Sequence, residues 1–297
     1  MSDKRRLLIV TGMSGAGKST VLDTLEDWGW DIVDNLPLDL VEPFVSDGLE
    51  ADGEAPMAIG IDMRSRGFSP EGVLHAVREL SGVRAEILFL DCSSVELVRR
   101  FDETRRRHPL ATDRPAEDGI WLERRLLKPL RRQANAIIDT TALKPVELRD
   151  DLQSRFREGR DKPVITVASF GFARGVARSA DLTFDMRFLD NPHWDPELRP
   201  LTGRDDPVKT YVSSDPAFGS TMEKIEDLVR DLIPRYWEAG KHYLTIAFGC
   251  TGGRHRSVAA AEEMARRLSG DGLDVSIRHR DLKTEPDDKI EKKGQKA

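Results

Sequence analysis

The run Gly12-Met13-Ser14-Gly15-Ala16-Gly17-Lys18-Ser19 constrains this chain more than any other. It has the G-x-x-x-x-G-K-[ST] pattern of a phosphate-binding P-loop. The apolar Leu7-Leu8-Ile9-Val10 precedes it, and residues 20–26 follow with apolar positions at helical spacing. Strand, glycine loop and helix N-terminus in that order are the context the pattern needs. The loop turns backbone N–H groups toward a phosphate, and the helix adds unpaired N–H groups and the positive end of its dipole. The run therefore implies a nucleoside triphosphate, with Lys18 reaching the β- and γ-phosphates and the Ser19 hydroxyl on Mg²⁺.

The rest of the first half fits a parallel sheet around that loop. Near-continuous apolar segments at 6–11, 30–33, 57–61, 86–90 and 136–138 read as strands. Helical patterns at 18–28, 69–80, 94–107, 118–134 and 145–157 fill the gaps. Such alternation implies an α/β fold with helices on both faces of the sheet. A charged segment, Arg155 to Lys162, precedes a restart at Pro163. The boundary is thus expected near residue 160, between a P-loop nucleotide-binding domain at 1–157 and a smaller α/β domain at 163–297. In the second half, strands are expected near 164–169, 182–187, 243–248 and 273–278, with helices near 220–238 and 257–269. The tail from Asp281 onward reads as polar and frayed.

Composition narrows the class. The chain has 297 residues, 39% hydrophobic and 33% charged, with a formal net charge of −6. That balance excludes a general nucleic-acid coat but leaves room for a local basic patch. Cys92 and Cys250 are too few and too distant for a disulfide framework, which fits a reducing cytoplasm. No run approaches a membrane span. Lys4-Arg5-Arg6 before a short apolar stretch reads as the approach to the first strand, not as a leader.

A P-loop needs an acidic partner for its Mg²⁺. Asp62 and Asp91 both end apolar strands. Asp62 is favoured because Asp62-Met63-Arg64-Ser65-Arg66 sets two arginines past the strand edge, where anions are clamped. Asp91 reads alternatively as a helix N-cap. The arginine-rich stretch 99–108 fits both a kinase-type lid and a solvated helix paired with Asp102 and Glu103. Asp34-Asn35-Leu36-Pro37 stands at a strand edge, as a general base or as a turn.

In the second half, Ile246–Gly249 leads into Cys250-Thr251-Gly252-Gly253-Arg254-His255-Arg256-Ser257 and then a helix. This is a second strand, glycine loop and helix, and reads as an anion site. Cys-x5-Arg is also the spacing of phosphatase loops, for which Asp195 in Trp194-Asp195-Pro196 would be the acid. His193, in Asn191-Pro192-His193-Trp194, reads as a loop residue. Six His and two Cys show no metal-ligand spacing. Residues 278–297 hold seven Lys/Arg against five Asp/Glu, a weakly basic end.

Taken together, the P-loop, Asp-Asn-Leu-Pro at 34–37, Ser-Phe-Gly-Phe at 169–172, Phe-Asp-Met-Arg-Phe-Leu at 184–189, Asn-Pro-His-Trp at 191–194, Gly-Cys-Thr-Gly-Gly at 249–253, His-Arg-Ser at 255–257 and Arg-His-Arg-Asp at 278–281 resemble the RapZ/YvcJ family of bacterial nucleotide-binding proteins. The resemblance runs over almost the whole chain. It implies a kinase-like P-loop domain with weak ATP and GTP hydrolysis, ATP contacts along 12–19 and GTP contacts at Asp62-Met63-Arg64-Ser65. In enteric members it further implies a second domain that binds glucosamine-6-phosphate and presents small RNA to an endoribonuclease. His193, Thr251, Gly252 and Arg256 would then line the sugar-phosphate site, beside Cys250 and Gly253 of the anion loop. The enteric RNA-binding tail is a compact basic cluster, whereas here acids dilute it. Two other readings stand beside a regulatory nucleotide hydrolase: a small-molecule P-loop kinase, and an RNA adapter, for which a homo-oligomer is plausible.

Overall fold

The computed structural model describes residues 4–50, 55–104, 106–156, 164–239, 241, 243–269 and 273–282. The chain divides into two compact units, Met1–Phe156 and Arg157–Ala297. Each is an α/β unit built on its own parallel sheet.

In the first unit the sheet strands are β1 (Arg5–Gly12), β2 (Asp31–Asp34), β3 (Met57–Gly60), β4 (Val83–Asp91) and β5 (Ala136–Asp139), in spatial order β2-β3-β1-β4-β5. β1 is central, with Ile9 opposite Ile59 on one side and Ile87 on the other. Leu7–Val10 and Ile87–Leu90 are buried because helices cover both faces. All pairings are parallel, so the P-loop, Asp34, Asp62 and Asp91 collect at one carboxyl edge. The strand order reverses at β1, and such a switch point opens a crevice for ligands.

The helices are α1 (Lys18–Asp27), α2 (Val41–Glu50), α3 (Pro70–Glu79), α4 (Ser94–Thr104), α5 (Ala116–Leu126), α6 (Lys128–Gln133) and α7 (Pro145–Phe156). Three differ from the sequence expectation. The helix expected over 118–134 is two, broken at Leu127, where Pro129 sits in the first turn of the second. The helix expected over 94–107 ends at Thr104. α2 is an addition to the expected helices; its Pro43 lies in the first turn, where its missing N–H is harmless.

The second unit carries β6 (Val164–Gly171), β7 (Leu182–Asp185), β8 (Tyr243–Cys250) and β9 (Asp274–His279), ordered β7-β8-β6-β9 and all parallel. Helices α8 (Asp206–Ser213), α9 (Pro216–Glu238) and α10 (Arg256–Ser269) complete it. Ile165, Val167, Met222, Val229, Ile246, Phe248, Ala260 and Met264 are part of its core. The expectation that the chain frays from Asp281 fails at its first residue. Asp281 is buried and its Oδ2 accepts from the Gly171 N–H at 2.7 Å, which ties β9 to the end of β6. Residues 283–297, which hold most of the expected basic tail, lie outside the described residues. Among the described residues no helix is long and apolar enough to cross a membrane.

Candidate functional site

At the end of β1 the chain must turn over the end of β4. Gly12 has φ +142°, and a Cβ there would stand 2.2 Å from the Leu90 carbonyl oxygen. Only glycine satisfies both conditions. The next N–H, of Met13, donates to that carbonyl at 3.0 Å. Gly15 and Gly17 also have positive φ, and Gly17 opens α1 without a side-chain cap. The outward carbonyls of the loop are occupied: Thr140 Oγ1 donates to Ala16 at 2.9 Å, and Arg100 Nη1 to Gly15 at 3.1 Å. Carbonyls bound outward hold the intervening N–H groups inward, the arrangement an anion site needs.

Lys18 pairs with Asp34 and lies 3.3 Å from Asp62 Oδ2. Ser19 is exposed on the first turn of α1. Asp62 through Ser65 form one turn. The Ser65 N–H donates to the Asp62 carbonyl at 2.9 Å, and Arg64 grips the Asp62 carboxylate through Nε at 3.2 Å and Nη2 at 2.7 Å. Met63 is half-buried in this turn. Burial pushes the Asp62 carboxyl up, but hydrogen bonds from Arg64 and the charge of Lys18 outweigh it, so it lies below the usual range. Asp62 is thus an ionised, hard oxygen donor beside Lys18; with the exposed Ser19 hydroxyl on the first turn of α1 it would suit Mg²⁺ together with nucleotide oxygens.

Asp91 does not share this role. It is buried and clamped by Arg124 at 2.8 Å and Arg131 at 2.9 Å. Nor does it cap α4; the Ser93 hydroxyl does, accepting from the Glu96 N–H at 3.2 Å. The arginine-rich stretch divides. Arg99 is a solvated partner of Glu96 and Glu103, whereas Arg100 reaches the P-loop.

One contact in this unit had no sequence signal. Glu123 of α5 is fully buried and holds Ser14 at two points, accepting from its N–H at 3.0 Å and its hydroxyl at 2.6 Å.

In the second unit β7, β6 and β8 end together. Cys250 is buried at the end of β8, with its Sγ 3.3 Å from the Gly253 nitrogen and 3.1 Å from Ser257 Oγ. Gly171, ending β6, packs against the backbone of Gly252 and Gly253. Arg256 is buried at the start of α10. It donates through Nη1 to the carbonyls of Arg187 and Leu189, both at 3.1 Å, and through Nη2 to Thr251 Oγ1 at 3.3 Å. Its Nε is buried without a partner, and among the described residues no carboxylate forms an ion pair with it. The nearest compensation is at longer range, where the charge of Arg256 helps hold the Asp185 carboxyl below its usual range; a buried guanidinium without a direct ion pair still favours an anion beside it. The first-turn N–H groups of α10 add further unpaired donors.

His193 was read as a loop residue. It lies in the loop after β7, within a short 3₁₀ turn, Pro192–Trp194, and is buried there, with its ring 6.4 Å from that of His255. Asp195, the acid considered for phosphatase chemistry, accepts from the Glu197 N–H at 2.8 Å. The two units share a local device. Asp185-Met186-Arg187 repeats the Asp62-Met63-Arg64 turn, with the Arg187 N–H on Asp185 Oδ1 at 2.9 Å and Nη2 on Oδ2 at 2.6 Å.

His255 makes the second site sensitive to acid. Burial lowers its pKa from 6.5 to about 4, although its Nε2–H donates to the Arg199 carbonyl at 3.2 Å. The unfolded chain therefore binds the extra proton first. The stability from neutral His255 is full above about pH 6.5 and is lost as pH falls toward 4, by about 3 kcal/mol in all. His279, lowered by burial, acts in the same direction. Urea unfolding of the wild type should show stability falling across that window. A His255→Gln variant should show a shallower slope; an equal slope would refute the assignment.

Known proteins match both units. Residues 5–160 match the RapZ-like N-terminal domain and residues 163–283 the RapZ C-terminal domain. A nucleotide-binding protein of Sphingopyxis alaskensis is 53% identical over 293 residues, 97% of this chain and 93% of the relative. One from Zymomonas mobilis is 51% identical over 285 residues, 94% of this chain and 88% of the relative. Among solved structures, shikimate kinase from Bacteroides thetaiotaomicron covers 50% of this chain and 96% of its own, at 18% identity and a TM-score of 0.35. With both units matched and relatives of this identity running nearly its full length, the chain belongs to the RapZ family of nucleotide-binding proteins.

Proposed function

We propose that this protein hydrolyses ATP and GTP slowly in its first unit and senses a phosphorylated amino sugar, glucosamine-6-phosphate, in its second, so that its role is regulatory. The observation that carries the reading is the recurrence, in each unit, of a strand, a glycine loop and a helix N-terminus with a basic side chain at its start: Lys18 in one, Arg256 in the other.

In the first unit, residues 12–19 hold the phosphates. Lys18 bears on the β- and γ-phosphates, and Ser19 and Asp62 hold Mg²⁺, which would offset phosphate charge when bound. The Asp62–Ser65 turn, with its exposed Arg64, is the proposed GTP contact. In the second unit, Arg256 and the loop 250–253 take the phosphate, and the buried His193 lies at the sugar end.

Calorimetric titration with glucosamine-6-phosphate tests the second half, and phosphate release from Mg-ATP and Mg-GTP tests the first. Micromolar sugar-phosphate binding and slow turnover of both nucleotides are expected. No heat with the sugar phosphate would sink the sensor reading and leave the nucleotide reading standing. A kinase reading draws support from the pairing of Asp34 with Lys18, which sets a carboxylate beside the transferring phosphate. Labelled phosphate from ATP appearing on a metabolite, and not in solution, would replace hydrolysis with transfer. The adapter role rests on the resemblance and on the weakly basic end at 278–297, of which Arg280 is engaged with the carbonyls of Gly171 and Gly175 and with Asp281.

A further inference from the structure

The Ser14 contact has an unusual chemistry for a phosphate loop. A carboxylate and a phosphate are the same kind of guest for backbone N–H groups, and here one such N–H already holds an internal anion. Glu123 takes Ser14 N–H on Oε2 and Ser14 Oγ–H on Oε1. His108 is fully buried beside it and lies 3.2 Å from Oε2 through Nε2. The Leu110 N–H donates to His108 Nδ1 at 3.1 Å, so Nδ1 is an acceptor and Nε2 carries the proton toward Glu123. The packing is specific. A Cβ on Gly119, one turn before Glu123, would stand 2.3 Å from His108 Nδ1. Glu123 thus has three neutral donors, and among the described residues no Lys or Arg pairs with it.

Two observations put this carboxylate at the outer end of the phosphate chain. Ser14 lies four residues before Lys18, where α1 starts and its N–H groups take the inner phosphates. Arg64 is held more firmly protonated than usual, first by its hydrogen bonds to Asp62 and further by the charges of Asp62, Asp34 and Glu123. Glu123 is thus near enough to the Arg64 that holds Asp62 for its charge to be felt there.

We propose that Glu123, braced by His108, is a specificity-determining residue: an internal carboxylate that competes with the terminal phosphate for the donors of Ser14 and so sets how the loop ranks nucleoside triphosphate against diphosphate. A diphosphate leaves the contact intact. A triphosphate must displace the carboxylate and meets its charge at close range, so both effects have one sign. The proposal rests on the nucleotide reading of the P-loop.

The test is calorimetric titration of the full chain with Mg-ADP and with the Mg complex of β,γ-imido-ATP. Glu123→Gln keeps the volume and removes the charge. The ratio of triphosphate to diphosphate affinity should rise about 10-fold, with diphosphate affinity within about threefold of wild type. Ser14→Ala, which loosens the carboxylate without touching α5, should move the ratio the same way by about threefold; it serves if Glu123→Gln does not fold. A ratio unchanged within about twofold in both variants, or equal weakening toward both nucleotides, overturns the proposal alone. Failure of the wild type to bind either nucleotide overturns the nucleotide reading and this inference with it.

Discussion

Lys18→Ala is expected to lower ATP and GTP hydrolysis by about 100-fold or more while the melting temperature stays within a few degrees. Removing one pre-positioned group that stabilises developing charge commonly costs a factor of 10² to 10³ in turnover. Lys18 is half-buried between Asp34 and Asp62, so its loss leaves two carboxylates facing the phosphates without their cation. Nucleotide affinity should fall too, since the repulsion acts on the bound ground state. The fold should survive, because the apolar side of α1 is carried by Val21, Leu22 and Leu25. Turnover by phosphate release, affinity by calorimetry and stability by thermal melting separate these effects. Hydrolysis within about threefold of wild type would remove Lys18, and with it the proposed P-loop chemistry, from the account.

Arg256→Ala is expected to lower glucosamine-6-phosphate affinity by about 10- to 150-fold, the range that a lost hydrogen bond to a charged group implies. The variant also strips the carbonyls of Arg187 and Leu189 of a shared donor, so some destabilisation will accompany it. Arg256→Lys separates the two. It keeps the charge but lacks the planar fork, so it should retain more stability than alanine and still bind the sugar phosphate more weakly than wild type. If both variants melt lower and bind the ligand unchanged, Arg256 is a structural strut between α10 and the 187–189 segment, and the anion site lies elsewhere.

The parts of the fold that could be read directly were those where one local pattern had one physical solution. Leu7–Val10, Met57–Ile59 and Ile87–Leu90 are short, wholly apolar runs, and a sheet covered on both faces accommodates such strands. The glycine spacing of 12–17 followed by Lys-Ser admits few backbone paths. The elements that were missed, α2 and α8, carry proline or glycine inside short helices, and there the local punctuation misleads because position within the first turn changes its meaning.

At the site, the chemistry-bearing types were visible and their partners were not. Asp62 and Asp91 both end apolar strands, and the local sequence separates them only by the arginines that follow Asp62. The difference comes from α5 and α6, which bring Arg124 and Arg131 onto Asp91 and leave Asp62 to face Lys18. Glu123 was invisible for a related reason. It lies among Glu117, Asp118, Arg124 and Arg125, and by sequence alone it is one more charge on a solvated helix. Only the packing of α5 against the P-loop buries it and gives it Ser14 and His108. His193 likewise reads as a turn residue until the packing of its 3₁₀ turn buries it.

Local order along the chain decided the sheet class, the P-loop, the second glycine loop and the residue types at both, because backbone sterics and hydrophobic periodicity act over a few residues. Tertiary structure alone decided which strand-end carboxylate faces Lys18, which buried arginine makes no direct ion pair among the described residues and which glutamate holds the P-loop. Those are properties of neighbours up to about a hundred residues away in sequence, as Ser14 and Glu123 are. Burial by such neighbours is what turns an ordinary charged side chain into one whose every hydrogen bond matters.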